Sequence, residues 1–248
     1  MSTAEFDHYS RTYQEMLDRS IRLSGEGAEY FAELKARYLG HFWKPAFSGR
    51  VLDFGCGIGM LSRFLLGYLP NCELHGYDPS RASLDMIPRD LSARGTFTSC
   101  KEELRCDYDL IVVANVMHHI PPAQRRDIIA GLQKRLGAGG KLVAFEHNPL
   151  NPLTRWAVKQ CPFDAGVILL WPRELLGYFR SAGLLLPRRD YVTFFPHWLA
   201  WLRPFERKLS WCPFGAQYVV VGENAGGAFW AETKTRQETV AVDVPSPC

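Results

Sequence analysis

The chain has 248 residues, 47% of them hydrophobic and 22% charged, with a formal net charge of +3. Those values describe one ordinary globular domain that buries its own core; they exclude a disordered chain, a disulfide-stapled miniature fold and a strongly basic nucleic-acid binder. Seven scattered cysteines without a C-x-x-C pair read as reduced thiols, and the polar start MSTAEFDHYSRTYQEML lacks the apolar stretch of a secretory signal, so a cytoplasmic location is expected.

In chain order, Tyr30, Phe31, Leu34, Tyr38, Leu39 and Phe42 recur at helical spacing and predict an amphipathic helix that packs on the domain or roofs its cleft. Residues 1–45 are accordingly read as an N-terminal helical lid. From residue 50 onward, short runs rich in Val, Ile and Leu alternate with helical periodicity. Strands are expected at residues 50–54, 73–77, 96–99, 109–114 and 141–146, and helices at 60–69, 81–87 and 122–136. This alternation predicts an α/β fold with a mostly parallel, doubly wound sheet covered on both faces.

A further helix over residues 172–182 opens on Pro172 and closes at Gly183, and strands follow at 189–195 and 216–222. The main domain is therefore placed at residues 46–222, and residues 223–248 are read as a flexible tail. Two segments within the domain, 148–170 and 196–214, are too apolar and aromatic for plain connectors. Insertions at the carboxyl edge of such a sheet build substrate pockets, and both segments are assigned to a substrate lobe.

The stretch VLDFGCGIG follows the first predicted strand. Glycines Gly55, Gly57 and Gly59 let backbone N–H groups approach a ligand closely, but Met60 stands where a dinucleotide fingerprint has its third glycine. Asp53 sharpens the choice, because a carboxylate in this turn repels a pyrophosphate and attracts a ligand bearing an ammonium and a sulfonium. S-adenosylmethionine carries both cations. Asp78, in GYDPS after the second predicted strand, stands where an acid accepts hydrogen bonds from a ribose diol. The plain alternatives are a capping or salt-bridging Asp53, a turn or N-cap Asp78, and a tight turn without a ligand.

With VLDFGCGIG, GYDPS and DYDLIVVANVMHHIP in that order, the sequence resembles the class I, Rossmann-like S-adenosylmethionine-dependent methyltransferases, in particular the small-molecule and quinone-methyltransferase-like members. The resemblance implies seven strands with the last antiparallel, and a cofactor held by Asp53, Gly55, Cys56, Gly57, Asp78, Pro79 and Asn115. It places the adenine by Cys100, Lys101 and Glu102, although family members often carry an acid where Cys100 stands. It also implies a tyrosine closing over the cofactor, for which Tyr9 and Tyr13 are the candidates. EHNPLNPLTRWAVKQCPFD and GAQYVVV are similar to methyltransferases of bacterial polysaccharide, lipid and secondary-metabolite pathways.

Methyl transfer to a phenol or carbon acid needs a base, and histidine suits that role near neutral pH. His118 and His119 lie just beyond the fourth predicted strand. His119 is taken as the base, with Tyr13 or Tyr9 as its partner; the plain alternative packs one histidine under the lid and uses the other as a cap. In AFEHNP, Glu146 and His147 point to opposite faces of a strand, so one alone enters the cleft, and Glu146 is the choice. No metal is expected, since adjacent histidines lack ligand spacing. Cys161 reads as a buried structural thiol.

FFPHWLAWLRPFERKLSWCPF suits an interfacial helix resting on anionic lipid, a greasy pocket whose mouth is basic, or a hydrophobic cap packed on the core. The expected acceptor is a small apolar, aromatic or lipid-like molecule methylated on carbon or oxygen, with no nucleic-acid partner. The alternatives kept open are a non-catalytic S-adenosylmethionine-binding accessory protein and a nicotinamide-dependent dehydrogenase.

Overall fold

The computed structural model describes residues 25–43, 46–161, 164 and 166–225. Tyr9, Tyr13 and the segment 226–248 lie outside the described residues. Seven strands form one sheet: β1 Arg50–Phe54, β2 Glu73–Tyr77, β3 Gly95–Thr98, β4 Tyr108–Ala114, β5 Leu136–His147, β6 Leu184–Val192 and β7 Gln217–Asn224. The helices are α1 Ala28–Phe42, α2 Met60–Tyr68, α3 Arg81–Leu84, α4 Arg89–Ser92, α5 Pro122–Gln133, α6 Pro152–Gln160 and α7 Pro172–Ser181.

The spatial order is β3-β2-β1-β4-β5-β7-β6. The first five strands run parallel, and β7 is antiparallel to both β5 and β6. This is the Rossmann-like sheet expected from the alternation of strands and helices. Strand order reverses at β1 and β4, which puts the carboxyl ends of both strands at the crevice where ligands of such sheets bind.

Alternate strand residues feed two cores. On one face Leu52, Phe54, Ile111, Val113, Leu142 and Ala144 pack with Ile129 and Leu132 of α5 and Leu175 and Phe179 of α7. On the other, Val51, Leu110, Val112, Val143 and Phe145 pack with Ala36 and Leu39 of α1 and Leu61 and Leu65 of α2. Burying each such Leu, Ile or Val contributes about 1.5–3 kcal/mol. The N-terminal helix is thus part of the second core: its Ala36 and Leu39 are fully buried.

Several boundaries differ from the sequence reading. Helix α5 ends at Gln133 and Leu136 already opens β5, because Gly137, Gly139 and Gly140 follow and Gly139 takes φ +72°. The helix expected over 81–87 is one turn, α3, and α4 was not expected. Strand β6 starts and ends earlier than the expected 189–195, while β7 runs on to Asn224, past the start of the expected tail. Residues His197–Leu209 form successive 3-10 turns in place of a regular helix, with Leu199 off helical geometry and Pro204 inside.

The two insertions are tied together. Asn148, fully buried, donates from Nδ2 to the carbonyls of Pro213 (2.8 Å) and Gly215 (2.7 Å). Asn151 caps α6 by accepting from the N–H groups of Leu153 and Thr154, and its Nδ2 donates to the Phe214 carbonyl at 2.7 Å. Arg125 of α5, fully buried, donates to the carbonyls of Ile120 (2.9 Å) and Ile168 (2.6 Å) and thereby holds the segment after α6 to the turn after β4.

Candidate active site

The turn after β1 is left-handed at three points: Gly55 (φ +81°), Gly57 (φ +54°) and Gly59 (φ +79°). A Cβ at Gly55 would lie 2.3 Å from Val116 Cγ2, so that glycine is required by packing. A Cβ at Gly57 would meet nothing within 4 Å, which leaves its backbone open to a ligand. The Gly57 N–H donates to Asp78 Oδ2 at 2.8 Å, and the Ser80 N–H donates to Oδ1 at 2.9 Å. Asp78 therefore joins the glycine turn to the end of β2. Capping of α3 falls to Ser80, whose Oγ accepts from Ser83 N at 3.1 Å; Pro79 links the two residues.

Asp53 departs from the charge argument. Its side chain points to the α1/α2 face, is 1% exposed, and accepts from Ser62 Oγ of α2 at 2.7 Å. Burial first, and the charge of Asp78 as well, push its carboxyl up to about 7, against the Ser62 hydrogen bond. In the chain alone it is therefore a carboxyl half protonated near pH 7 that locks α2 to β1, not a free anion in the turn. Cys56 is likewise a packing residue: it is buried, and burial holds its thiol well above the usual range.

At the end of β3 the Cys100 thiol lies 3.0 Å from Glu102 Oε2, and that contact chiefly holds the Glu102 carboxyl below its ordinary value. An acid thus stands beside the position where Cys100 replaces one. Lys101 Nζ sits 5.8 Å above the Tyr77 ring, which itself stacks on Phe54. Asn115, at the end of β4, takes φ +57°, and its Oδ1 accepts from Gln217 Nε2 at 3.5 Å.

His118 and His119 stand in the 3-10 turn Met117–His119 beyond β4. His118 is buried, with Nδ1 2.6 Å from Glu146 Oε2 and Nε2 3.4 Å from Asp164 Oδ1. Glu146 is fully buried, and its Oε1 accepts from Met117 N at 2.8 Å. Burial disfavours the imidazolium of His118, but Glu146 and Asp164 outweigh it and hold His118 at about 9.

His119, with Nε2 3.4 Å from Asp164 Oδ1, is pushed down to about 3 by burial and by its neighbour His118. A base tuned near neutrality, as expected of His119, is not what this environment makes. Glu146 in turn is bound to His118, not presented alone to a cleft.

Glu146 and His147, of which Glu146 alone was expected in the cleft, both neighbour His118. The strand does persist to His147, and the two alternate in face. Both nevertheless approach His118: Glu146 Oε2 lies 2.6 Å from its Nδ1, and the His147 ring is 5.0 Å from the His118 ring. Burial, with His118 adding, holds His147 down at about 4. One donor atom each from His118, His147 and Asp164 lies within 4.8 Å of the others, a ligand-like grouping that local spacing in the sequence does not reveal.

Lys35 of α1 was also missed. It is 4% exposed, its Nζ donates to Phe31 O at 3.3 Å, and burial pushes it down to about 8 while Glu146 opposes the shift.

The family model for a methyltransferase domain matches residues 52–142. Carboxy-S-adenosyl-L-methionine synthase of Campylobacter jejuni is 28% identical over 148 residues, 57% of this chain and 60% of that protein. The chain thus spans about 60% of the length of the curated relatives it matches. A SAM-dependent methyltransferase from Archaeoglobus fulgidus superposes with a TM-score of 0.65 at 14% identity, covering 85% of this chain and 99% of that one. Magnesium protoporphyrin IX methyltransferase from Synechocystis, solved with bound SAH, superposes at 0.61 with 14% identity, covering 90% and 98%. The glycine turn opened at Gly57, its link to Asp78 and the sheet order agree with the matched domain: residues 52–142 carry the match to a methyltransferase domain, on a Rossmann-like sheet.

Proposed function

We propose that the chain moves a methyl group from S-adenosylmethionine to carbon or oxygen of a small apolar, aromatic or lipid-like acceptor. The observation that carries the reading is the cradle of Gly55–Gly57 and Asp78, where an open backbone position and a carboxylate on the next strand end meet. When bound, the cofactor supplies an electrophilic methyl on a sulfonium. Asp78 accepts from the ribose hydroxyls, Gly57 permits close approach, and Asp53, drawn toward its ionised form by a nearby cation, balances charge beneath the turn. Holding acceptor and methyl in line contributes up to ~7–11 kcal/mol, so orientation by the chain outweighs acid–base assistance.

Support for an apolar acceptor comes from the lobe. Trp198, Trp201 and Trp211 are 71%, 70% and 74% exposed, and Arg207 and Lys208 lie among them. We take this face as one that rests on an anionic lipid surface from which the acceptor is drawn. Among the described residues no helix is long and apolar enough to cross a membrane. The test is incubation with methyl-labelled S-adenosylmethionine and a lipid extract of the organism that makes the protein. Label in an apolar product supports the reading, and label that stays on the cofactor contradicts it.

The matched relatives favour one other reading, in which the chain modifies the cofactor itself, as the name carboxy-S-adenosyl-L-methionine synthase says of them. Mass spectrometry of the cofactor pool after the same incubation distinguishes the two, since a carboxylated cofactor appears only in the second.

A further inference from the structure

Beyond the carboxyl ends of β4 and β5, three donor side chains from separate parts of the chain converge. His118 comes from the 3-10 turn after β4, His147 ends β5, and Asp164 lies between α6 and α7. We propose that His118, His147 and Asp164 bind a divalent first-row transition-metal ion, leaving coordination positions for water or an oxygen atom of the acceptor.

Two imidazoles and one carboxylate select zinc, iron, cobalt or manganese over magnesium and calcium, which prefer all-oxygen sites. Bonds of about 2.0–2.2 Å place ligand atoms of one ion roughly 3–3.5 Å apart. The separation of His118 Nε2 from Asp164 Oδ1, 3.4 Å, already meets that condition. The 4.8 Å outer bound of the group asks only a modest turn of a side chain.

The surroundings of His118 are those of a ligand histidine. Its Nδ1 faces Glu146 Oε2 at 2.6 Å, and Glu146 is itself fixed by Met117 N at 2.8 Å, so Nε2 is the nitrogen turned to the other donors. A carboxylate behind a histidine fixes its tautomer and strengthens it as a ligand. The set is also largely enclosed: the side chains of His118 and Asp164 are 1% and 9% exposed and His147 is partly buried, unlike a chance cluster of surface acids. Arg125 braces the group from behind through the carbonyl of Ile168, four residues beyond Asp164.

Ion binding does not depend on the methyl-transfer reading; only the role of its open positions toward the acceptor rests on it. The test uses the full chain, stripped with a chelator and titrated with Zn²⁺ or Co²⁺ by calorimetry and elemental analysis. One ion per chain is expected, and X-ray absorption of the Zn²⁺ form should show two imidazole ligands. H147A and D164N should each weaken binding at least 100-fold, and E146Q by roughly 10- to 100-fold, while S-adenosylmethionine binding persists in all three.

No stoichiometric uptake by the wild-type chain, a zinc site without imidazole, or uptake unchanged in H147A and D164N would overturn the proposal and leave a proton-sharing network. Uptake without methyl transfer sinks the transfer reading alone. Full transfer in chelator with no uptake sinks the metal site alone.

Discussion

Asp78 Oδ2 accepts the Gly57 N–H at 2.8 Å, a bond that spans 21 positions of chain and ties the glycine turn to the end of β2. Replacing Asp78 by Ala removes both this clamp and the acceptor for a ribose diol. A hydrogen bond to a charged group contributes about 1.5–3 kcal/mol, so cofactor affinity should fall roughly 10- to 150-fold, with D78N in between. Calorimetric affinities within twofold of wild type would contradict the assignment.

The two glycines of the turn should respond differently. In G57A the new methyl meets no atom within 4 Å but carries the left-handed φ of +54°, so stability should drop by only about 1–2 kcal/mol while cofactor affinity falls further. In G55A the methyl would press on Val116 at 2.3 Å, and stability itself should fall by about 3 kcal/mol. Denaturant melts beside binding isotherms check this pair; equal losses in both measurements for both variants would contradict it.

Asp53 makes stability depend on pH in a definite direction. Its folded value of about 7 lies above the unfolded value of 3.8. Between those values the folded chain holds a proton that the unfolded chain has released, so its contribution is present below about pH 4 and is lost as pH rises toward 7. D53N should flatten that part of the stability profile. A cation bound near the turn favours the ionised form, so cofactor affinity should rise through pH 7 with proton release, read as a heat that varies with the buffer's ionisation enthalpy. A pH-independent affinity would contradict the coupling.

Much of the fold was legible because it rests on local signals. Val/Ile/Leu runs, Pro172 at a first turn and glycines after β1 each act within a few residues, and the strands they predicted form the observed sheet. Boundaries slipped where tertiary pairing overrode the pattern: Leu136 continues a helical register in sequence but pairs with Tyr108 in the sheet. The site was read in part. Asp78 and Gly57 follow from short motifs, whereas Asp164 meets His118, and Lys35 comes within the electrostatic reach of Glu146, only through folding. No spacing encodes that meeting, and neither sequence position carries a motif. Asp53 shows the reverse failure, since charge was read without the burial and Ser62 contact that change it.

The exposed aromatic face gives a prediction of its own. Vesicles rich in anionic lipid should carry the chain in flotation at low salt, and salt should release it as screening weakens the pull on Arg207 and Lys208. Replacing Trp198, Trp201 and Trp211 by Ala should abolish association while the thermal transition stays within a few degrees. A wild-type chain that never floats would remove the lipid surface from the account.

The turn after β1 is expected to bind a doubly cationic sulfur nucleoside and not a diphosphate. Calorimetry of the purified chain with S-adenosylmethionine, and separately with NAD, tests it most directly. One S-adenosylmethionine bound per chain and no heat of binding with NAD are expected. Saturable binding of NAD, or none of S-adenosylmethionine, would contradict it.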